Sequence, residues 1–491
     1  MITQMKRKTN DFSGKKVLVM GLGSLGGGIA STKWFFRKGA RVTVTDMKKK
    51  EELQVSIRAL GTAARRVALV LGTHRKKDFT ETDYVVVNPA VPRESVFLRI
   101  AKNAGARLVN DASIFFDTVR NPIIAVTGTR GKTTTANWIA HLISSQKQKI
   151  SAAGNSASTA LFSLVEKLER NPKLPAVVEL SSWQLELIDQ SRRGPDVAVI
   201  TNLYPDHLNR YASLNAYAEA KVKIFARQTK SQNLILNADN AWTAFFLKRK
   251  PKSSVWFVSA EELPGARRGL WQGPDGCACF REKKNGPARC VVSSRNFRAI
   301  LDRGEHNAMN FLEAALAARL SGIAWKTIEE NIASLPAIQY REEIIMRNKT
   351  VTVVNDSTAT SPDGAIAALK RFSGTGQLLY IAGGTDKNLR FGEWAKEVRR
   401  SLPPEHLFLL EGSATEKMAD ALRRERFGIA VKTFPNLDAI LAVVRKAIRQ
   451  HSGPEQKIIL FSPAAASFGK FKNEFDRGAQ FSRLARKYFA G

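Results

Sequence analysis

Residues 126–135 have the types and spacing that bind a nucleotide polyphosphate. They read Val-Thr-Gly-Thr-Arg-Gly-Lys-Thr-Thr-Thr and follow an apolar run at residues 122–125. A strand, a glycine-rich turn and a helix in this order direct backbone N–H groups and the positive end of the helix at phosphate oxygens. In such a loop the lysine contacts the β- and γ-phosphates, and the hydroxyl after it ligates Mg²⁺. The segment predicts ATP binding by Gly128, Thr129, Arg130, Gly131, Lys132, Thr133 and Thr134.

This loop is tighter than the common P-loop. The G-x-x-x-x-G-K spacing requires glycine at position 126, where the chain has Val126. A chance Gly-Lys-Thr in a loop is therefore the alternative interpretation. The strand–turn–helix context favours the functional one.

A second glycine-rich turn lies near the N-terminus. Residues 21–26 read Gly-Leu-Gly-Ser-Leu-Gly after the apolar run 16–20, and a second apolar run, residues 41–45, ends at Asp46. A strand–helix–strand unit with G-x-G-x-x-G and an acidic residue about 20 positions further on is typical of dinucleotide binding. On these residues alone, a nicotinamide-dependent oxidoreductase is one hypothesis, and Asp46 as a cap of the strand end is the structural alternative.

The length and the alternation of elements predict three domains. A chain of 491 residues is too long for one hydrophobic core. Short apolar runs alternate with helical stretches, so we expect an α/β fold in which each domain has a mostly parallel sheet with helices on both faces. The central domain is expected to have a P-loop ATPase-like fold. The expected domains are residues 1–118, 119–338 and 339–491, with a hairpin appendage near residues 253–297.

The composition is that of a globular protein, with 44% hydrophobic and 25% charged residues. No run reaches the ~20 apolar residues that cross a bilayer, and the N-terminus has no signal-peptide apolar region. Cys277, Cys279 and Cys290 lack the spacing of a metal site and are interpreted as reduced thiols. We therefore expect a cytoplasmic protein.

The net charge of +33, from 77 Lys and Arg against 44 Asp and Glu, is extreme. A nucleic-acid partner would suit it, but the basic residues are spread along the chain and no nucleic-acid-binding motif accompanies them. We therefore expect no nucleic-acid partner. We favour a generally basic surface that helps to attract anionic nucleotide substrates.

Beyond these motifs the chain resembles the Mur ligase family. Residues 179–186 read Glu-Leu-Ser-Ser-Trp-Gln-Leu-Glu, a run characteristic of the D-glutamate-adding branch of that family. Further matches follow in the family's order, at residues 201–202, 206–211, 220–221, 304–307, 355–357, 383–384, 462–468, 471–473 and 477–478. Any one match could be chance, but their joint order carries the resemblance over most of the chain.

The resemblance implies an ATP-dependent amide ligase of peptidoglycan precursor synthesis. Such an enzyme adds D-glutamate to UDP-N-acetylmuramoyl-L-alanine through an acyl phosphate and releases ADP and phosphate. Its substrates are small molecules, and we expect a monomer. Positive charge and metal are needed because two anions must approach each other.

The resemblance also implies two Mg²⁺ ions. Thr133 and Glu179 would hold one ion, and His207 and Lys221 the other. Lys221 would be carbamylated, because an ammonium cannot ligate a cation. Lys132, Glu179, His207 and Lys221 are thereby the expected catalytic residues. Without the resemblance, Lys221 would be interpreted as a solvated lysine and His207 as a polar loop residue.

The remaining expected site residues divide by ligand. Asn307, Arg341 and Asp356 would contact ATP. Lys387, Ser467 and Phe468 would hold the incoming amino acid, although Ser467 as a cap and Phe468 as a core residue are alternatives. The sugar nucleotide would contact Ser24, Leu25, Asp46, Lys48, Asn88, Asn155, Ser181 and Gln184.

Three residues depart from the family pattern. Arg130 replaces an asparagine, Thr358 a lysine and Glu474 an aromatic residue. The ATP chemistry is untouched, but the choice of amino acid and its chirality stay open, with L-glutamate or a sister ligase as alternatives. The oxidoreductase and nucleic-acid hypotheses leave the ATP loop unexplained.

Overall fold

The computed structural model describes residues 11–23, 26–89, 91–146, 148–154, 161–207, 210–428, 432–450 and 456–490. The chain divides into two compact units, Met1–Leu335 and Pro336–Gly491. It contains three sheets, mostly parallel, so the predicted α/β fold class is confirmed. The predicted boundary after residue 118 falls inside the first unit and stays a prediction. Among the described residues, no helix combines the length and apolar character needed to cross a bilayer.

The first sheet is parallel, with five strands in the order β3-β2-β1-β4-β5. Its strands coincide with short, buried apolar runs. These runs are rich in valine, a β-branched residue that favours strands. The elements are β1 (Lys16–Met20), α1 (Gly27–Arg37), β2 (Arg41–Asp46), α2 (Gln54–Leu60), β3 (Ala68–Leu71), α3 (Lys76–Thr80), β4 (Tyr84–Val87), α4 (Val96–Asn103), β5 (Arg107–Val109) and α5 (Asp111–Thr118). The turn between β1 and α1 is the first glycine-rich segment.

The second sheet, in the same unit, has nine strands. Its elements are β6 (Ile123–Thr127), α6 (Lys132–Leu142), β7 (Ala152–Ala153), α7 (Leu161–Arg170), β8 (Ala176–Glu179), α8 (Ser182–Leu185), β9 (Val197–Ile200), α9 (Leu214–Val222), β10 (Asn233–Asn237), α10 (Thr243–Lys248), β11 (Ser254–Ser259), β12 (Gly269–Gln272), β13 (Ala278–Arg281), β14 (Ala288–Val292), α11 (Ser294–Leu301), α12 (Glu305–Leu320) and α13 (Trp325–Glu330). β6 lies between β8 and β9 and is parallel to both, so the loops after these three strands leave the same edge of the sheet.

Alternate residues of β6 serve two separate cores. Ile123 and Ala125 belong to one hydrophobic cluster, and Ile124 and Val126 to another. The period of two arises because successive strand side chains point to opposite faces. Both faces of the sheet are therefore covered.

The predicted hairpin appendage is continuous with this sheet. β11 and β12 still pair in parallel, and antiparallel pairing begins only between β12 and β13. The Gly- and Pro-rich composition of residues 253–297 predicted the turns but not the parallel pairing of β11.

The second unit contains one sheet of six strands in the order β15-β16-β20-β17-β18-β19, antiparallel only at β15. Its two faces are covered by separate hydrophobic clusters. Its elements are β15 (Glu343–Arg347), β16 (Val351–Asn355), α14 (Pro362–Phe372), β17 (Gln377–Gly383), α15 (Gly392–Ser401), β18 (Leu407–Leu410), α16 (Thr415–Arg424), β19 (Lys432–Phe434), α17 (Leu437–Gln450), β20 (Lys457–Phe461) and α18 (Glu474–Phe489).

Candidate active site

The predicted phosphate loop connects the buried strand β6 to the N-terminus of α6. Asn202, at the end of β9, holds the loop in place: its Oδ1 accepts the Arg130 N–H at 2.8 Å, and its carbonyl oxygen accepts the Thr129 N–H at 3.0 Å. Thr201 Oγ1 donates to the Arg130 carbonyl oxygen at 2.6 Å. The loop is thus shaped by the neighbouring strand end and presents the N-terminus of an 11-residue helix, where an anion is favoured.

Two loop glycines have no room for a side chain. Gly128 has φ 153° and Gly131 has φ 79°, both in the region that favours glycine. A Cβ at Gly128 would lie 1.9 Å from Thr201 Oγ1, and one at Gly131 would lie 2.2 Å from Asn310 Oδ1. Contacts on both sides of the loop therefore leave space only for glycine at these two positions.

Lys221, on α9, contacts the same loop. Only 1% of the residue is exposed, and its Nζ donates a hydrogen bond to the Gly128 carbonyl oxygen at 2.8 Å. Nζ also lies 4.5 Å from the Tyr217 ring centroid. Burial lowers the pKa of Lys221 well below its ordinary value, and the positive charges of Lys132 and Arg130 lower it further. The amine is therefore neutral far more readily than a surface lysine.

The other predicted catalytic residues surround this loop. Lys132 Nζ donates to the Thr129 carbonyl oxygen at 3.2 Å, and Arg130 pairs with Asp206 at 3.1 Å. Glu179 ends β8, and a Cβ added at Gly154 would lie 3.1 Å from Glu179 Cβ, so the glycine lets its segment pack closely against this residue. Its charge and that of Asp206 act on the Lys221 amine.

His207 follows Asp206 in a left-handed conformation with φ 53°. Its ring lies edge-on to Trp183 at 5.5 Å and to Tyr217 at 5.8 Å between centroids. Its Nε2 is 3.8 Å from Asp206 Oδ2. A non-glycine residue in this conformation indicates that the surrounding structure holds it there.

The donors around the loop suit Mg²⁺ held together with phosphate oxygens. Thr133 and Glu179 supply a hydroxyl and a carboxylate, the hard oxygen ligands that this ion takes. Over the described ranges, no group of three or more His, Cys, Asp or Glu side chains is arranged to hold a metal ion by itself. Mg²⁺ characteristically takes one or two protein carboxylates and completes its shell with phosphates and water.

Helix α12 packs against α6 and carries the predicted Asn307. Asn307 Oδ1 accepts from Asn310 Nδ2 at 3.1 Å, and Asn310 Oδ1 is the atom that borders Gly131. Glu313, one turn further along, is fully buried and accepts from Thr135 Oγ1 at 3.1 Å. Burial raises the pKa of Glu313 to about 8. Sequence reasoning missed Glu313, although a lone carboxylate in the Ala- and Leu-rich run of α12 was a visible signal.

In the first sheet, Asp46 holds the glycine-rich turn. Its Oδ2 accepts the Leu22 N–H at 2.9 Å and the Gly23 N–H at 3.1 Å, and its Oδ1 accepts the Lys48 N–H at 2.9 Å. Asn88 Nδ2 donates to the Gly21 carbonyl oxygen at 3.3 Å. These contacts match the strand-end alternative for Asp46 and bring Asp46 and Asn88 to one turn. Ser24, Leu25 and Asn155, predicted for the sugar nucleotide, lie outside the described residues.

Ser181 and Gln184 form a capping box at the start of α8. Ser181 Oγ accepts the Gln184 N–H at 3.3 Å, and Gln184 Oε1 accepts the Ser181 N–H at 3.0 Å. Gln184 Nε2 also donates to the half-buried Asp111 carboxylate at 2.9 Å. Both predicted substrate residues thus have structural partners, and their role toward a sugar nucleotide stays a prediction.

Glu186, in the same motif, joins three segments. It accepts hydrogen bonds from Tyr211 Oη at 2.9 Å and Arg210 Nη2 at 2.8 Å, and it pairs with Arg93 Nε at 3.3 Å. Arg210 Nη1 also donates to the Pro89 carbonyl oxygen at 2.8 Å. Glu186 therefore ties the loop after β4 to the loop after β9. From the sequence, Glu186 was recognised only as the last residue of the motif at residues 179–186.

In the second unit, Asp356 follows β16 and is buried. Its Oδ2 accepts from Ser462 Oγ at 2.6 Å, and its Oδ1 accepts the Glu342 N–H at 3.1 Å. Burial and the negative charge of Glu342 raise the pKa of Asp356 to about 7. The predicted ATP residues Arg341 and Asp356 are therefore brought together at one end of β16.

The predicted amino-acid residues occupy two paired loops of this unit. Thr385 and Ala466 form an antiparallel bridge, with N–H···O distances of 2.8 and 3.0 Å, that joins the loop of Lys387 to the loop of Ser467 and Phe468. Among the described residues Ser467 Oγ is buried with no hydrogen-bond partner, and Phe468 is 54% exposed. A buried hydroxyl without a protein partner retains hydrogen-bonding capacity that a ligand can use.

Arg477, buried on α18, crosslinks the base of these loops. Its guanidinium donates to the Ser357 carbonyl oxygen at 2.7 Å, to the Ala465 carbonyl oxygen at 3.0 Å and to the Ala466 carbonyl oxygen at 3.1 Å. Burial lowers the pKa of Arg477 to about 10. Its position after the Ser467 loop was noted in the sequence, but nothing in the spacing indicated that it is buried.

Comparison with known proteins identifies the family. A family model described as the Mur ligase middle domain matches residues 126–318, and one described as the Mur ligase MurD-like N-terminal domain matches residues 15–110. The UDP-N-acetylmuramoylalanine--D-glutamate ligase of Roseiflexus sp. (strain RS-1) is 36% identical, over 97% of this chain and 99% of that protein. The ligase of the same name from Borreliella afzelii (strain PKo) is 31% identical, over 95% and 96%.

A solved structure supports the fold. The UDP-N-acetylmuramoylalanyl-D-glutamyl-2,6-diaminopimelate--D-alanyl-D-alanyl ligase of Acinetobacter baumannii has a TM-score of 0.56, covering 97% of this chain and 93% of that chain at 12% identity. At this identity the likeness concerns the fold alone. The matched family models and the relatives of nearly equal length together establish that this chain belongs to the Mur ligase family.

Proposed function

We propose that this chain is an ATP-dependent ligase that joins D-glutamate to UDP-N-acetylmuramoyl-L-alanine in peptidoglycan precursor synthesis and releases ADP and phosphate. The observation that carries the proposal is the 36% identity, over 97% of the chain, to a relative named for this reaction. The phosphate loop and the two paired loops of the second unit support it, because they supply sites for an anionic nucleotide and for a small polar ligand. A nicotinamide-dependent reaction would leave both features without a role.

The chemistry explains why ATP is needed. A carboxylate resists attack by an amine, so the reaction transfers the γ-phosphoryl group of ATP to the carboxylate of the UDP-linked substrate and releases ADP. The amine of D-glutamate then attacks the acyl carbon, phosphate leaves, and the amine gives up a proton. Lys132 and the N-terminus of α6 would stabilise the negative charge of the transferred group.

Metal binding in this proposal uses the predicted residues. Thr133 and Glu179 would hold one Mg²⁺, and His207 with a carbamylated Lys221 would hold a second. Bound Mg²⁺ supplies charge neutralisation between the phosphates and the substrate carboxylate. The buried, hydrogen-bonded amine of Lys221 supports carbamylation, since only a neutral amine adds carbon dioxide. A carbamate would exchange the lysine's positive charge for two oxygen ligands.

The remaining residues would bind the substrates. Gly128 to Thr134 in the loop, Asn307, Arg341 and Asp356 would contact ATP. The glycine turn held by Asp46, together with Asn88 and the other residues named for it, would bind the UDP moiety. Lys387 and the unpartnered hydroxyl of Ser467 would bind the carboxylates of the amino acid, with Phe468 against its carbon chain.

Two departures from the family pattern concern the amino acid that the proposal assigns as the substrate. Thr358 and Glu474 replace a lysine and an aromatic residue of the family pattern, and L-glutamate is the alternative substrate. In the structure Thr358 donates to the Tyr340 carbonyl oxygen, and the Glu474 carbonyl oxygen accepts from Ser357 Oγ at 2.8 Å. The Thr358 side chain thus has a partner within the fold, whereas the contact at Glu474 is made by its backbone and does not depend on its side chain. A monomer without a nucleic-acid partner remains our expectation.

Phosphate release tests this proposal. The purified chain is incubated with ATP and Mg²⁺, and each substrate is omitted in turn. We expect phosphate only when both UDP-N-acetylmuramoyl-L-alanine and D-glutamate are present, and no phosphate from the Lys132→Met variant. Equal phosphate release without the sugar nucleotide would show a hydrolase and not a ligase.

A further inference from the structure

Arg341 lies between two residues with strained backbones. Tyr340 has φ 59° and Glu342 has φ 45°, the left-handed region that β-carbon-bearing residues avoid. Such conformations persist only where surrounding contacts enforce them, and they cluster at functional sites. The contacts that hold Tyr340 and Glu342 therefore determine where the Arg341 side chain is presented.

Tyr340 is held by Thr358. The Thr358 N–H and the Thr358 hydroxyl both donate to the Tyr340 carbonyl oxygen, at 3.1 and 2.8 Å. The Tyr340 N–H donates to Glu343 Oε2 at 2.8 Å. Its ring packs on Gly478, where an added Cβ would come within 2.6 Å of the ring. The peptide that links Tyr340 to Arg341 is thus fixed by a residue that departs from the family pattern.

Glu342 is held on the other side. Its N–H donates to Asp356 Oδ1, and its carboxylate accepts from Arg371 Nη1 at 2.6 Å. The two side chains of this ion pair are only 8% and 17% exposed, so solvent screens the pair little. Arg371 on α14 thereby anchors the residue that follows Arg341.

We propose that Thr358 is a positioning residue for Arg341, and that the Glu342–Arg371 pair completes the clamp. The inference rests on the proposed function, in which Arg341 contacts ATP. Thr358 acts through the Tyr340 carbonyl oxygen and touches no substrate. This role explains why a threonine is compatible with ligase activity where the family pattern has a lysine: its two donors maintain a strained turn.

The test removes the hydroxyl without changing the side-chain shape. Thr358→Val keeps the backbone N–H but loses the 2.8 Å bond, and Thr358→Ser keeps the hydroxyl. Thr352→Val is the matched control, because Thr352 Oγ1 is buried in β16 with no hydrogen-bond partner in the part of the chain that the structure describes. We expect Thr358→Val to raise the KM and the Kd for ATP about fivefold, the factor for one net hydrogen bond. The KM for the sugar nucleotide should be unchanged in Thr358→Val. The KM and the Kd for ATP should be unchanged in Thr352→Val and in Thr358→Ser.

A double-mutant cycle separates positioning from general stability. In the Arg341→Ala background, Thr358→Val should have no further effect on the Kd for ATP, measured by titration calorimetry, because the residue it positions is gone. A full fivefold effect in that background would overturn the proposal, as would an unchanged Kd in Thr358→Val alone. Thermal unfolding shows whether Thr358→Val folds, and Thr358→Ser supplies the folded comparison if it does not. Because the cycle reads ATP affinity, it decides the role of Thr358 even if the wild-type protein forms no amide.

Discussion

The Lys221 amine donates a hydrogen bond to the Gly128 carbonyl oxygen at 2.8 Å, beneath the turn that is predicted to hold phosphates. A buried amine beside Lys132 and Arg130 destabilises the folded state, since charge is removed from water next to like charge. A lysine at this position therefore costs stability, which indicates that it is kept for chemistry.

Replacing Lys221 with methionine should stabilise the protein and abolish ligation. Methionine fills a similar volume without a buried amine, and we expect unfolding to become harder by about 1 kcal/mol at pH 7. The folded-state pKa of Lys221 is lowered, so the unfolded state binds more protons below pH 10.5 and the wild type gains stability as pH rises. The stability advantage of Lys221→Met over the wild type should therefore shrink as the pH rises.

Thermal melts at pH 7 and 9 measure this effect, with Lys230→Met, at an exposed lysine of the same unit, as the control. A Lys221→Met variant that is less stable than the wild type would show that the hydrogen bond to Gly128 outweighs the burial of the amine.

Gly131→Ala should abolish ATP binding. A methyl group there would lie 2.2 Å from Asn310 Oδ1, and the backbone has a φ of 79°, so the loop or the buried Asn310 side chain that borders it must shift. Gly105→Ala is the matched control, with a φ of 87° but nothing within 4 Å of the added Cβ. Both variants should lose about 1 kcal/mol to backbone strain. Only Gly131→Ala should lose ATP affinity in a binding titration; equal affinities in the two variants would contradict the packing argument.

Glu313 should make the free energy of unfolding depend on pH. Its pKa is raised from 4.5 to about 8 by burial, so the folded state binds more protons between these values. Its contribution to stability is complete below pH 4.5 and is lost as pH rises through 8. Glu313→Gln, which cannot ionise, should flatten this decline.

Denaturant unfolding at pH 5, 6.5 and 8 checks the prediction, with Glu330→Gln at an exposed position of α13 as the control. An identical pH slope in Glu313→Gln and wild type would show that Glu313 does not stay protonated in the fold.

Glu186→Ala should be strongly destabilising. It removes the carboxylate that Arg210 and Tyr211 share in a buried setting, and uncompensated buried partners cost about 3 kcal/mol. Glu219→Ala breaks a pair with Arg249 in which both side chains are more than a third exposed, and such pairs contribute less than about 1 kcal/mol. Chemical denaturation compares the two, and equal losses would contradict the assigned role of burial.

The sequence predicted the strands best where they were short and apolar. β1 coincides with the apolar run at residues 16–20, which is short and mostly buried and therefore suits a strand of a parallel sheet. β11 was placed in an antiparallel appendage, since its Ser- and Val-rich composition carries no information about which neighbour it pairs with. Strand order is set by tertiary packing and not by local pattern.

The sequence predicted which residues belong to the site, but not the hydrogen bonds and ion pairs that connect them. The phosphate loop carries its own signature, whereas Ser181 and Gln184 satisfy each other as a helix cap, which the Ser-x-x-Gln spacing also allowed. Arg477 and Glu186 were missed as structural centres, because burial of a charged side chain depends on partners distant in sequence.

Product formation with each enantiomer of glutamate tests the central claim most directly. The chain is incubated with ATP, Mg²⁺, UDP-N-acetylmuramoyl-L-alanine and either D- or L-glutamate, and the sugar nucleotide is analysed by mass spectrometry. We expect a product heavier by one glutamyl residue with D-glutamate only, with ADP and phosphate in equal amounts. Product with L-glutamate only would contradict the proposed substrate, and no product with either would contradict the ligase itself.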